Sequence, residues 1–218
     1  MENKIVDKEK AILLIGGGGH CRSVLDAILS TDTYNKIGII DVDKNASVMD
    51  IKVVGTDGDL QMLFHDGWLY AFITIGSIGN IDLRSKLYNI VKSIGFIVPS
   101  IIDSSAIIAK DVVISEGTFV GKRVVINSGS EIGPCAILNT GSIIEHDNTI
   151  GEFVHVSPGA TICGQVSIGN GAHIGAGSVI RQGISIGAGA LIGAGSVVVK
   201  DIPKNVKAYG NPCRVVER

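Results

Sequence analysis

The sequence predicts two units in series: an α/β, Rossmann-like domain over residues 1–99 and a left-handed parallel β-helix over residues 100–218. Three observations carry this. An aliphatic residue stands at every sixth position from Ile102 to Val198 without a break. Upstream of about Pro99, short apolar runs alternate with helix-period stripes, the mark of a small parallel sheet with helices packed on it. Between the first run and the first stripe lies Gly16-Gly17-Gly18-Gly19-His20, a glycine-rich strand-to-helix turn that suits a phosphate or, alternatively, a tight connection with no ligand.

The first strand is Ala11 to Ile15, and Val24, Leu25, Ile28 and Leu29 recur at helical spacing after the glycine turn. Such a turn points backbone N–H groups from a helix N-terminus, where a phosphate is stabilised by the dipole and by donors lacking partners. A second strand, Ile37 to Ile40, ends in Asp41-Val42-Asp43, where nucleotide-binding α/β folds set an acid against a ribose or base. A short strand at Val53-Val54-Gly55, a weak helix from Asp59 and a strand from Ala71 to Ile75 follow. Leu83, Leu87, Ile90, Val91 and Ile94 then form one stripe of a helix that Gly95 ends. In such sheets ligands bind at the C-terminal ends of the strands, and Gly16, Gly18, His20, Asp41 and Gly76 all fall there. The glycine run is no dinucleotide fingerprint, because G-x-G-x-x-G needs glycine at position 21 and Cys21 stands there. A single short βαβ unit also gives no second mononucleotide half, so a nucleotide attached to something other than nicotinamide fits better.

Period six is neither helix nor plain alternation. It is a flat face plus a corner; three faces close one coil, so residues 18 apart stack, as His155 should on His173 and Asn139 on Ser157. At ~4.8 Å per strand, about five coils make a prism roughly 25 Å tall. The glycine that often follows the aliphatic (Gly133, Gly151, Gly169, Gly175, Gly187, Gly193) suits a corner where a Cβ would crowd the backbone.

Net charge is −2 with no basic run, which disfavours nucleic acid and anionic membrane as partners. Lys200, Lys204, Lys207, Arg214 and Arg218 gather near the C-terminus, suiting either a phosphorylated ligand or a solvated tail. The first ten residues are charged and no apolar segment reaches ~18 residues, so a cytoplasmic protein is expected. Cys21, Cys135, Cys163 and Cys213 lack zinc-ligand spacing and are read as free thiols.

Within the repeat, Asn127, Asn139, Glu145, Ser157, Cys163 and Arg181 replace the glycine after the aliphatic. Asn127 reads as a corner residue, since asparagine tolerates the left-handed conformation. Glu145-His146-Asp147 is the densest titratable cluster in an otherwise apolar solenoid. Histidine can take a proton near neutral pH, and an adjacent carboxylate fixes its tautomer and raises its basicity, so His146 is the candidate general base. A metal site on His146, His155 and His173 is the alternative those imidazoles allow, as in β-helix carbonic anhydrases.

The Gly-Gly-Gly-Gly-His opening, the segments Asn139-Thr140-Gly141-Ser142-Ile143-Ile144-Glu145-His146-Asp147 and Gly151-Glu152-Phe153-Val154-His155-Val156-Ser157, and the ending Gly210-Asn211-Pro212-Cys213-Arg214 together resemble the bacterial nucleotide-sugar acetyltransferases of the hexapeptide-repeat type. That group includes UDP-4-amino-sugar N-acetyltransferases and sialic acid O-acetyltransferases. The resemblance implies a catalytic set of His146 as base, Asp147 as the acid that raises its basicity, and Asn139 on the acceptor amine. It implies acetyl-CoA as co-substrate, held by His155 and by backbone groups at Ala176 and Ala194, and no metal. It further implies a nucleotide-sugar site of Gly18, Gly19, His20, Asp41, Val42 and Gly76, and a homotrimer with each site between subunits. Two departures, Cys21 after His20 and Asp-Val-Asp after the second strand, are expected to touch the nucleotide pocket. The expected activity is N-acetylation of a UDP-linked 4-amino sugar. O-acetylation of a sialic acid, metal-dependent hydration and a non-catalytic scaffold are the rivals.

Overall fold

The computed structural model describes residues 10–217. The charged start of the chain, on which the expectation of no export signal rested, lies outside the described residues, as does Arg218 of the C-terminal basic cluster.

The N-terminal unit is a five-stranded sheet built from β1 (Ala11–Ile15), β2 (Lys36–Ile40), β3 (Ser47–Val48), β4 (Ile51–Gly55) and β5 (Tyr70–Ile73) in the order β3-β4-β2-β1-β5. Strands β4, β2, β1 and β5 run parallel, and β3 pairs antiparallel with β4 at the edge. β1 lies inside the sheet between β2 and β5 and is fully buried, which is why it reads as an uninterrupted apolar run. Helix α1 (Gly19–Leu29) buries Cys21, Val24, Leu25 and Ile28; α2 is the short Leu60–His65 helix, and α3 spans Asp82–Ile94. Gly95 ends α3 at φ +111°, a left-handed cap whose N–H bonds the carbonyls of Val91 and Lys92. On α3 the expected stripe holds at Leu87 and Val91, which are buried with Ile90 and Ile94 packed beside them, and departs only at its first residue. Leu83 is 53% exposed, whereas its neighbour Arg84 is buried.

From Ile101 the chain winds into two-residue strands, each pairing in parallel with the strand 18 residues on, to give three sheets that form the faces of a left-handed prism. His155 pairs with His173 and Ile137 with His155, as the stacking rule requires. The row of sixth-position aliphatics is buried from Val120 to Val198, and the residue four places after each, such as Ala136, Ser142, Ala160 and Ala172, fills the corners of the same core.

The bend does not fall where the sequence suggested. Left-handed φ recurs at the third residue after the aliphatic, from Gly117 to Gly195, and includes the non-glycine residues Arg123, Cys135, Asp147, Phe153 and Gln165. Asn127 is therefore not the left-handed residue of its turn; Gly129 is, at φ +73°. The glycine directly after the aliphatic instead lets adjacent coils approach, since a Cβ on Gly169 would stand 2.5 Å from the amide nitrogen of Ala188.

The N-terminal unit sits on the first coils of one face, where Ile101, Phe119 and Ile137 join the α1 side chains in one buried cluster. At the other end a hairpin of Lys207–Tyr209 and Arg214–Glu217 extends the same sheet, and Val206, Ala208 and Cys213 close the core. Among the described residues no helix is long and apolar enough to cross a membrane.

Candidate active site

His146 occupies the turn between the strands Ile143–Ile144 and Thr149–Ile150. Its Nδ1–H donates to Oδ2 of Asp147 at 2.8 Å, which fixes the tautomer and leaves the Nε2 lone pair open to a proton. Asp147 is the left-handed residue of that turn, at φ +57°, a conformation aspartate tolerates better than most side chains. The pair is framed by two glycines one coil away on either side. A Cβ on Gly164 would meet Nε2 of His146 at 2.5 Å, and one on Gly129 would collide with Oδ1 of Asp147. Beneath the turn, buried Asn148 donates to the carbonyl of Glu145 at 2.5 Å and accepts from the N–H of Val166 at 2.8 Å, and Ser130 donates to the same Glu145 carbonyl. His146 is thus carried on a turn pinned from inside the core.

A second cluster lies one corner back. Asn139, His155, Ala176 and Ala194 line one groove of about 410 Å³ together with Ser157, His173 and Ile78. Ala176 and Ala194 stack 18 residues apart along this corner. Asn139 accepts the Thr140 N–H through Oδ1 at 2.8 Å, so its oxygen is held by its own turn. Within one chain His146 does not line this groove; the strand Ile143–Ile144 separates the two corners.

Between groove and N-terminal unit sits a buried polar junction. Nδ1 of His155 lies 2.9 Å from the carbonyl oxygen of Ser77, an acceptor, so that nitrogen carries the proton. Burial pushes the His155 pKa down, the Ser77 bond opposes this in part, and the nearby Arg84 guanidinium adds to the lowering. Arg84, on α3, donates to the backbone carbonyls of Cys135 and Phe153 and to Ser77 Oγ, and its guanidinium packs over the Phe153 ring. It ties the N-terminal unit to two left-handed corners of the β-helix. His20 packs edge-on against Phe119, and burial, with Arg84 and His155 adding to it, lowers its pKa to about 3.

At the strand ends, the glycine turn has the expected shape. Gly16 is left-handed at φ +109°, and added Cβ atoms at Gly18 and Gly19 would meet nothing within 4 Å. Asp41 accepts the N–H of Gly17 at 2.7 Å and that of Asp43 at 3.1 Å, and these bonds hold its carboxyl below the usual range. Asp41 therefore braces the turn from below. Val42 beside it is 90% exposed, and a Cβ added to Gly76 would meet the Cβ of His20 at 3.7 Å. Cys21 does not touch this pocket, contrary to expectation: its side chain points into the core beneath α1, where burial raises its pKa to about 11. No three His, Cys, Asp or Glu side chains converge as a metal-binding group among the described residues.

Residues 11–91 match the PglD N-terminal domain, and residues 149–182 and 165–200 match the bacterial transferase hexapeptide (six repeats). Among solved structures, a histidine-to-asparagine variant of perosamine N-acetyltransferase from Caulobacter crescentus, in complex with CoA and GDP-perosamine, is 35% identical, with a TM-score of 0.90 over 95% of this chain and 97% of its own. The acetyltransferase domain of PglB from Neisseria gonorrhoeae, in complex with acetyl coenzyme A, is 31% identical at a TM-score of 0.90, covering 95% of this chain and all of its own, 100%. The chain belongs to the hexapeptide-repeat nucleotide-sugar acetyltransferases. WeeI from Acinetobacter baumannii is similar too, at 27% identity and a TM-score of 0.83 over 94% of this chain and 99% of its own. As a member of this acetyltransferase family the protein uses acetyl-CoA as its acetyl donor.

Three residues that frame this acetyltransferase site escaped the sequence reading. Gly164 and Asn148 carried signals, one as the glycine 18 places after His146, the other as a polar residue in a row of small and aliphatic ones. Arg84 carried none.

Proposed function

We propose that this protein transfers the acetyl group of acetyl-CoA to the amino group of a UDP-linked 4-amino sugar, with His146 as general base. The observation that carries this reading is the 2.8 Å bond from His146 Nδ1 to Asp147, which leaves Nε2 as an acceptor on an exposed turn. The neutral amine attacks the thioester carbonyl while Nε2 of His146 takes its proton; the C–S bond then breaks and the imidazolium returns the proton to the coenzyme A thiolate. No covalent enzyme intermediate is needed. Asn139 holds the acceptor amine, and Gly18, Gly19, His20, Asp41, Val42 and Gly76 hold the nucleotide sugar. Acetyl-CoA lies along the corner of Asn139, His155, Ala176 and Ala194.

The site is shared in a homotrimer. Between the His146 corner and the groove corner, the outward row of one face is Ile107, Val125, Ile143, Thr161, Val179 and Val197, largely aliphatic, with Ile107 and Val179 exposed. Cyclic packing of that face brings the groove of one subunit against the His146 corner of the next.

The complex of the Caulobacter crescentus enzyme with GDP-perosamine favours a second reading, in which the nucleotide is GDP. Incubation of the purified protein with acetyl-CoA and UDP- or GDP-linked amino sugars, following released thiol, tests both. Thiol release with UDP-linked 4-amino sugars supports the first reading, release with GDP-linked sugars alone supports the second, and release with neither overturns both.

A further inference from the structure

His155 and His173 stack as neighbours on one face of the β-helix, with ring centroids 4.9 Å apart and planes at 88°. Their proton inventories differ. His155 spends its one N–H on the Ser77 carbonyl, so the ring has no proton left for a carbonyl oxygen of a ligand. Its Nε2 can accept from an amide N–H but cannot donate.

His173 is 7% exposed, lines the groove, and has an Nδ1 atom that is buried without a partner. Its Nε2 lies 3.3 Å from Oγ of Ser157, which is also buried and lines the groove. A neutral imidazole carries one N–H. If it is on Nε2, it donates to Ser157 Oγ and frees the hydroxyl proton. If it is on Nδ1, Ser157 donates to Nε2 and the Nδ1–H is left over. Only the first placement frees a donor on the groove-lining Ser157, since in the second the leftover proton sits on the buried Nδ1; burial, which lowers the His173 pKa to about 4 with His155 adding to it, keeps the ring neutral. An unspent buried donor costs about 1–3 kcal/mol until an acceptor arrives.

Along this corner Asn139, Ser157, Ala176 and Ala194 come from successive coils, each ~4.8 Å from the last. With the acceptor amine at Asn139, the acetyl end of the cofactor meets Ser157 and the pantetheine arm runs on past the two alanines. We propose that Ser157 and His173 form a single hydrogen-bonding unit that donates to the thioester carbonyl oxygen of acetyl-CoA, a role distinct from that of His155. It rests on the assignment of the groove to acetyl-CoA made above. The carbonyl gains negative charge as the amine adds, so the same donor is worth more in the transition state than in the bound substrate.

Calorimetric affinities for acetyl-CoA and for CoA, which lacks the carbonyl, test this without reference to the acceptor sugar. Ser157→Ala and His173→Phe should each weaken acetyl-CoA binding about tenfold and leave CoA affinity unchanged, and the double variant should be no worse than either single one. Equal losses for both ligands would mean that the two residues only shape the groove. Unchanged acetyl-CoA affinity, or additive losses, would likewise overturn the unit. Ala194→Trp, which fills the groove, separates the underlying assignment: undiminished acetyl-CoA binding in that variant shows that the cofactor lies elsewhere and removes both readings together.

Discussion

Gly164 lies directly over the imidazole of His146: a Cβ there would stand 2.5 Å from Nε2 and 2.6 Å from Cε1. The slot for this imidazole therefore exists because residue 164 has no side chain. Gly164 does not have a left-handed φ, so alanine suits its backbone and must displace the ring instead.

Gly164→Ala should lower kcat by roughly ten- to hundredfold through misplacement of the base, with a melting temperature and acetyl-CoA affinity near those of the wild type. A wild-type kcat in a folded variant would show that the imidazole does not work from this slot.

His146→Ala should cost ~10²–10⁴ in rate with little change in acetyl-CoA affinity, because proton transfer belongs to the transition state. Asp147→Asn should cost less, since the Nδ1–H keeps an oxygen acceptor and loses only the charge. His155→Ala should instead weaken acetyl-CoA binding. Steady-state kinetics with both substrates varied reads this ordering, and a His146→Ala rate within a few-fold of wild type at saturation would demote His146 to a binding group.

The repeat and its stacking were legible because a period of six leaves one residue class in one place, so the His155–His173 pairing followed from arithmetic alone. The bend was not. In turns such as Gly175 to Gly177 and Gly193 to Gly195, glycine stands at both candidate positions, one for close coil approach and one for left-handed φ, and composition cannot separate the two demands. Arg84 was hidden for a different reason. Hydrophobicity selects Leu83 for the buried stripe of α3, yet the surface it meets offers the carbonyls of Cys135 and Phe153, which need donors. That demand belongs to the docked β-helix, and α3 alone does not encode it.

Arg84→Met and Asn148→Ala should each destabilise the fold. Both leave buried backbone groups without partners: the carbonyls of Cys135 and Phe153 in one case and the Val166 N–H in the other, where the Glu145 carbonyl keeps only its bond from Ser130. A cost of about 1–3 kcal/mol for each group left unsatisfied is expected. Thermal melts at fixed protein concentration measure it. Arg84→Met should also raise KM for the nucleotide sugar, since the N-terminal unit loses its tie to the β-helix.

Acid should destabilise the protein well before its carboxylates titrate. Burial lowers the pKa of His20 to about 3, with Arg84 and His155 nearby, and that of His173 to about 4, beside His155. Both folded values lie below the unfolded value near 6.5, so between them the unfolded chain binds more protons and stability falls as pH falls. The loss begins near pH 6.5 and ends near pH 4 for His173 and pH 3 for His20, at up to roughly 1.4 kcal/mol per pH unit for each group. Urea unfolding from pH 7 to pH 4 reads the slope, and His173→Phe should flatten it. A stability independent of pH across that window would mean that both rings are protonated in the native state.

The separation of His146 from the Asn139 groove within one chain makes the shared site testable by mixing subunits. Ala194→Trp blocks the groove and keeps the His146 corner; His146→Ala removes the base and keeps the groove. Each homotrimer should be inactive. If neighbouring subunits supply the two halves, random mixed trimers contain interfaces with an intact groove from one variant facing an intact His146 from the other, at about a quarter of all sites. Refolding the two variants together should therefore restore about a quarter of the wild-type activity. Ile143→Asp, placed on the aliphatic face between the two corners, should abolish both the trimer, by light scattering, and the recovery. Mixtures that stay inactive although they assemble would put the whole site within one subunit.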